Sequence, residues 1–153
     1  MLIAIFGESC VGKSTLSERL KARLGFEVYT GKDYKRLARS EGEAQKLFCQ
    51  RLLDSVDGDG LIWVISERED MPLLPEGAVR VLMTADLETI KARFAERMHG
   101  QLPPPVAMML ERKHGSFDSE PHMFFAKAGE TDMDLLVEEI CACTKQQEKS
   151  RNT

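Results

Sequence analysis

Short runs rich in apolar and β-branched residues alternate along the chain with segments whose apolar positions recur every three or four residues. Leu2–Phe6 (LIAIF), 26–29, Leu61–Ile65 (LIWVI), 79–83 and 122–126 are runs of the first kind, and each predicts a strand. Lys13–Leu24 is of the second kind, with Leu16, Leu20 and Leu24 on one stripe and Gly25 where a C-cap glycine belongs. Residues 32–56 read as helical in two pieces broken near 40–42. Residues 86–98 place Leu87, Ile90, Phe94 and Met98 inward, with Asp86 as N-cap. A short helix over 106–113 and a closing helix over 131–145 follow, the latter opened by Thr131 and Asp134 at capping-box spacing. The polar tail beyond Lys145 is expected to fray.

The connections are marked by turn chemistry. Asp57-Gly58-Asp59-Gly60 is a turn, residues 71–77 hold two prolines, and 99–105 (HGQLPPP) is too rich in glycine and proline for regular structure. Strands and helices alternate throughout. That order predicts an α/β fold: a five-stranded parallel sheet with helices on both faces, in three layers. The 153 residues suffice for one domain, and Trp63, mid-strand, reads as a core residue.

Composition narrows the class. Hydrophobic residues make up 42% of the chain, enough for a packed core. The 21 basic and 25 acidic residues give a net charge of −4, which argues against a nucleic-acid partner. Cys10, Cys49, Cys141 and Cys143 lack the spacing of a disulfide framework, and His99, His114 and His122 pair with no cysteine at zinc-ligand spacing. No apolar run approaches a membrane span, and the first residues lack the charge and apolar pattern of a signal peptide, so the expectation is a cytoplasmic protein with reduced thiols. It is expected to be a monomer or weak dimer.

Residues 7–14, GESCVGKS, carry the strongest chemical signal. Gly7 and Gly12 bracket four residues and are followed by Lys13 and Ser14, between a predicted strand and a predicted helix. Glycines at these positions let successive backbone N–H groups turn inward on an anion. Gly7, Glu8, Ser9, Cys10, Val11, Gly12, Lys13, Ser14 and Thr15 therefore form a candidate cradle for ATP. Lys13 would reach the outer phosphates, Ser14 would ligate Mg2+, and the following helix would add its N-terminal dipole. Cys10 is also a candidate reactive thiol or a simple spacer.

Several users of such loops are excluded. The guanine-reading Asn-Lys-x-Asp is impossible, because the one asparagine is Asn152. The third strand ends Ile65-Ser66-Glu67, without the adjacent acids of motor and AAA-type ATPases. A small-molecule kinase instead needs an acceptor region and a mobile arginine-bearing lid, since phosphoryl transfer depends on positioning and charge neutralisation. Arg68 follows the third strand. Arg93 and Arg97 share a helix face that runs into a proline-rich segment, and Arg112 and Lys113 lie beyond it. Residues 99–118 are the candidate lid, with Lys13, Arg93 and Arg97 as catalytic candidates.

With these residues in view, the chain resembles the nucleoside monophosphate kinase group, most closely the cytidylate kinases. Thr30-Gly31-Lys32-Asp33-Tyr34-Lys35-Arg36-Leu37-Ala38 is similar to that family's Thr-Gly-x-x-Tyr-Arg-x-x-Ala, with lysine for arginine. Glu67-Arg68-Glu69 stands where the family has Gly-Arg-Asp, and Leu82-Met83-Thr84-Ala85 where it has Phe-Leu-Thr-Ala. Arg93 matches one lid arginine; a second falls on Phe94, with Arg97 one turn on. Arg112 and Asp118 echo the family's Arg-Asp-x-x-Asp, and the arginine that normally follows is absent. The resemblance implies a P-loop kinase fold, ATP and Mg2+ as cofactors, and a nucleoside monophosphate acceptor bound within 31–57.

The candidate acceptor residues are Asp33, Tyr34, Arg36, Arg39 and Arg68, since an anionic acceptor needs cations and preferably a bidentate arginine. Asp33 and Glu67 are alternatives for contact with metal-bound water. Two other readings stay open: a kinase of a small hydroxy acid, on the scaffold that shikimate and gluconate kinases share, and a degenerate kinase that binds nucleotide as a regulator.

Overall fold

The computed structural model describes residues 1–151, with side chains described through Thr144. Asn152, whose tail position carried the guanine argument, and the side chains of the expected fraying tail lie outside the described residues. Five strands, β1 (Leu2–Phe6), β2 (Glu27–Thr30), β3 (Leu61–Ile65), β4 (Val79–Thr84) and β5 (Phe124–Lys127), form one sheet in the order β2-β3-β1-β4-β5. Every pairing is parallel. Five helices connect and flank them: α1 (Lys13–Leu24), α2 (Glu41–Val56), α3 (Leu87–Arg97), α4 (Pro104–Lys113) and α5 (Met133–Arg151). Short 3-10 turns occupy Asp33–Leu37 and Arg68–Leu73. No helix among the described residues is long and apolar enough to cross a membrane.

Parallel strands need crossovers, and the crossovers bury both sheet faces, which is why β1 and β3 read as continuous apolar runs. Alternate residues divide between two cores. Ile3, Ile5, Val64 and Val81 pack with Leu16 and Leu20 of α1 and with Val137 and Ile140 of α5. Leu2, Ala4, Phe6, Trp63 and Leu82 pack on the other face with Phe48 and Leu52 of α2. Trp63 is fully buried, meets Phe48 edge-on with ring centroids 4.8 Å apart, and donates its indole N–H to the Gly31 carbonyl at 2.9 Å.

The helix ends depart from the sequence reading in four places. Asp86 has extended backbone at the start of α3, but its carboxylate pairs with Lys127 at 3.0 Å and makes no cap bond. The cap of α5 is Asp132, whose Oδ1 accepts the N–H groups of Asp134 and Leu135; the Thr131 hydroxyl instead accepts the Lys127 N–H. Helix α4 begins at Pro104, inside the segment expected to be irregular, because the first helical positions need no N–H donor. Helix α5 continues past Lys145 to Arg151. Ser40 does cap α2, accepting the Glu43 N–H at 3.2 Å, and the break expected near 40–42 falls there, with Gly42 already in the first turn. Met98, expected inside, is 36% exposed.

Trp63→Phe is expected to lower the unfolding free energy by about 1–3 kcal/mol, because the Gly31 carbonyl loses its buried donor and the site loses volume. Urea denaturation with an unchanged m-value would register it; an unchanged midpoint would mean that the indole bond adds nothing.

Candidate active site

Helix α1 has no side-chain cap. Gly12 holds the N-cap position at φ 102°, a conformation open to glycine and strained for other residues, and Leu16 makes the first helical bond back to the Gly12 carbonyl at 3.2 Å. The preceding N–H groups are thus left for an acceptor outside the helix. At the other end of the loop, a Cβ on Gly7 would stand 2.2 Å from the Met83 carbonyl oxygen, so only glycine lets the loop leave β1 this close to β4. Cys10 takes φ 65°, a left-handed kink unusual for a cysteine.

Lys13 is 6% exposed. Its ammonium donates to the Gly7 carbonyl at 2.7 Å and to the Glu8 carbonyl. Burial pushes its pKa down to about 8; Arg97 adds to the fall, while Cys10, Glu8 and Glu67 oppose it. Arg93 donates to the Cys10 carbonyl at 3.0 Å, and Arg97 lines a cavity of about 140 Å3 with Lys13, Ser14, Thr30 and Ser66. Of the residues named from sequence, Ser9, Cys10, Gly12, Lys13, Ser14, Thr15 and Arg97 line this cavity, while Gly7, Glu8 and Val11 do not, and Arg93 braces the loop from outside it. The fit to a bound polyphosphate is good: an uncapped helix start, a pre-bonded ammonium and the Arg97 guanidinium face one polar cavity. Lys13, Arg97 and the loop N–H groups would hold such a ligand, with Arg93 fixing the loop, and the exposed Ser14 hydroxyl would offer Mg2+ an oxygen. Among the described residues no group of three His, Cys, Asp or Glu side chains stands ready for a metal.

The expected acceptor residues are more dispersed. Asp33 accepts the Thr30 N–H at 3.0 Å, closing its own turn. Tyr34 lies in the core at 1% exposure, stacked on Phe48 at 4.9 Å, so its ring is closed to a ligand; the sequence placed it on an exposed helix, and the 3-10 turn directs it inward. Arg36 sits over the Tyr29 ring at 4.9 Å, and Arg39 is exposed. Arg68 is 59% exposed, its Nε 3.5 Å from Glu120 Oε1. Half of the 99–118 segment is α4, which meets α3 through Lys91–Glu111 at 2.6 Å and carries the buried Leu110.

Three features escaped the sequence reading. Thr30 and Ser66 line the phosphate cavity from the ends of β2 and β3. Lys32 is held by Glu69 at 2.9 Å and Asp70 at 3.0 Å, and both carboxylates raise its pKa well above the ordinary lysine value. Glu8 reaches out of the phosphate loop to the end of α4: its carboxylate accepts the Gly115 N–H at 3.0 Å and faces His114 Nδ1 at 3.2 Å. Burial raises the Glu8 pKa, against the opposing pull of His114 and the Gly115 N–H.

No protein-family model and no curated protein matches the chain. Solved structures do. Shikimate kinase from Acinetobacter baumannii in complex with shikimate matches with a TM-score of 0.62 at 15% identity, over 95% of this chain and 93% of that one. A gluconokinase from Sinorhizobium meliloti gives 0.59 at 15% identity, over 97% and 94%. Deoxyadenosine kinase from M. mycoides with bound dATP gives 0.55 at 17% identity, over 95% and 100%. The chain has the P-loop kinase fold. At such identity the likeness is one of architecture, and it singles out no acceptor.

The Lys13 ammonium gives the site a pH signature. Its folded pKa, near 8, lies below the unfolded lysine value, so burial of the charge costs stability below pH 8, and that cost fades as the pH rises toward 10.5. A bound polyphosphate favours the ammonium. Binding of inorganic tripolyphosphate is therefore expected to take up a proton above pH 8 and to weaken by up to about tenfold per pH unit there. Calorimetry at pH 9 in two buffers of different ionisation enthalpy measures the uptake; none would mean that Lys13 does not grip the anion.

Proposed function

We propose that the protein transfers the terminal phosphoryl group of ATP to a small-molecule acceptor. The observation that carries this reading is the convergence on one cavity of Lys13, the uncapped start of α1 and Arg97. Loop and helix alone would suit any nucleotide-binding protein. An arginine brought by a separate helix to the same cavity suits stabilisation of charge that develops during transfer. ATP would supply the phosphoryl group, and Mg2+, with Ser14 as its protein ligand, would offset phosphate charge. Lys13 would bind the outer phosphate oxygens, Arg93 would fix the loop through the Cys10 carbonyl, and Thr30 and Ser66 would line the same cavity from the ends of β2 and β3.

The kinases among the structural neighbours support this reading at the level of reaction class. They include acceptors as different as shikimate and deoxyadenosine, so the cytidylate-like assignment drawn from 30–38 remains one proposal beside a hydroxy-acid acceptor. The exposed Arg36, Arg39 and Arg68 suit an acceptor with an anionic group. The reading involves neither nucleic acid nor membrane, and it places a cytoplasmic enzyme as a monomer or weak dimer. The nucleotide-binding regulator is the rival, and Arg97 in the phosphate cavity is the feature against it.

The test is ADP release from ATP·Mg2+ with and without nucleoside monophosphates and small hydroxy compounds. Acceptor-dependent release is expected from the wild type and not from Lys13→Ala. Tight ATP binding without turnover in any mixture would favour the regulator. Arg97→Ala is expected to lower kcat about 10²- to 10³-fold while changing the ATP Kd little, because its charge matters most where the phosphoryl charge develops. Equal losses in Kd and kcat would make it a ground-state binding residue instead.

A further inference from the structure

We propose that His114, oriented by Glu8, takes the proton from the acceptor's hydroxyl group, and hence that the acceptor is an alcohol and not a phosphate. The inference rests on the kinase reading above. Glu8 lies inside the phosphate loop, its side chain 10% exposed. One oxygen accepts the Gly115 N–H at 3.0 Å, and the other faces His114 Nδ1 at 3.2 Å. An ionised carboxylate has only lone pairs to offer, so Nδ1 carries the proton of this pair. In the neutral ring the free lone pair is then on Nε2. A base whose tautomer and ring orientation are fixed by a partly buried carboxylate is what removal of a hydroxyl proton requires.

The position also fits. His114 is 37% exposed and borders a cleft of about 310 Å3, together with Glu8, Thr84, Asp118 and Lys127. Shared walls link this cleft to the phosphate cavity. Ser9 and Ser66 line both the phosphate cavity and a narrow gap of about 40 Å3 against α4, and Glu8 lines both that gap and the cleft. The Glu8 carbonyl accepts from the Lys13 ammonium, so the dyad springs from the residue against which Lys13 rests.

Charge selects the kind of acceptor. The groups that face the cleft around His114 are Glu8, Asp86, Asp118, Lys127 and His122. Lys127 is already paired with Asp86 at 3.0 Å and Glu130 at 3.5 Å. Three carboxylates against one paired cation repel a phosphate dianion. A phosphate monoester is largely ionised at neutral pH and needs no base; an alcohol does. In the step, the alcohol oxygen forms a bond to the γ-phosphorus of ATP. The bond from that phosphorus to the bridging oxygen breaks, its electron pair leaves on ADP, and the hydroxyl proton passes to His114 Nε2 and on to solvent.

ADP release from ATP·Mg2+ would be measured with shikimate, gluconate, glycerol, CMP, AMP and water alone, for the wild type, His114→Asn and Glu8→Gln. Asparagine keeps an N–H donor near the Nδ1 position and lacks Nε2, and glutamine keeps an acceptor for Gly115. Stimulation by an alcohol is expected. With that alcohol, or with water where no alcohol in the set stimulates, His114→Asn should lower kcat about 10²-fold. Its ATP Kd should be unchanged, and the acidic fall of the wild-type pH–rate profile should be gone. Glu8→Gln should lose part of kcat without raising KM. Addition of the stimulating alcohol should also move the His114 ring resonance in the NMR spectrum. Stimulation confined to CMP or AMP overturns the alcohol assignment and leaves the kinase reading standing. A wild-type kcat and pH profile in His114→Asn overturns the role of the base. ATP binding with no ADP released in any mixture, water included, overturns the kinase reading and this inference with it.

Discussion

A buried ammonium that its own loop must satisfy is the constraint on which the site depends. Isolated in the interior, the Lys13 charge would be expelled or neutralised. It stays because the Gly7 and Glu8 carbonyls turn toward it. They can do so only if the chain leaves β1 without a side chain at residue 7, hard against β4, and re-enters a helix through a left-handed residue 12. The same turn leaves the start of α1 without a cap. Lysine, glycines and helix dipole are therefore one geometric solution, and each would be strained without the others. In the proposed function the contact is provisional: carbonyl oxygens would hold the ammonium until a more strongly charged acceptor, a phosphate oxygen, arrives.

The sheet order decides what that lysine meets. With β1 central, the loop opens between the ends of β3 and β4, so Ser66 and Thr30 reach the phosphate cavity from one side and α3 delivers Arg97 from the other. Carboxyl ends of parallel strands collect polar groups because the backbone there stops pairing and turns outward. Arg93 and Arg97 lie one turn apart on α3, and their tasks differ: Arg93 holds the loop through the Cys10 carbonyl, while Arg97 is left for a ligand. The first fixes geometry and the second supplies charge.

The sequence is most legible where one physical demand acts alone. β1, α1 and β3 match their predicted bounds because burial on both faces gives unbroken apolar runs and Gly25 closes α1 at φ 71°. Helix ends in the second half are harder, because several side chains can serve there and tertiary partners choose among them. Asp86 is drawn to Lys127, Thr131 to the Lys127 N–H, and Asp132 is left to cap α5. Tyr34 was misplaced because a 3-10 turn rotates its residues differently from an α-helix, bringing the ring onto Phe48. The contact between Glu8 and His114 was illegible in a stronger sense. Over a hundred residues separate the pair, and neither side chain looks unusual in its local sequence. Only the packing of α4 above the loop brings them together.

That packing also gives the site its two electrical ends. On the α1 side, Lys13, Arg93 and Arg97 gather around the loop; on the other stand Glu8, Asp86 and Asp118, with a single lysine already paired. A highly charged donor is drawn to the first end and repelled from the second. A neutral hydroxyl compound gains little from the first and is not excluded from the second. In the proposed transfer, two substrates that must meet at one phosphorus atom would thus be kept from competing for one pocket. The boundary between the ends is Glu8 itself, whose carbonyl serves the lysine and whose carboxylate serves the histidine. A residue in that double role couples the fit of the donor to the placement of the base, since any movement of the loop that changes one changes the other. This accounts for a feature that phosphate binding alone would disfavour: a glutamate inside a loop built to hold anions.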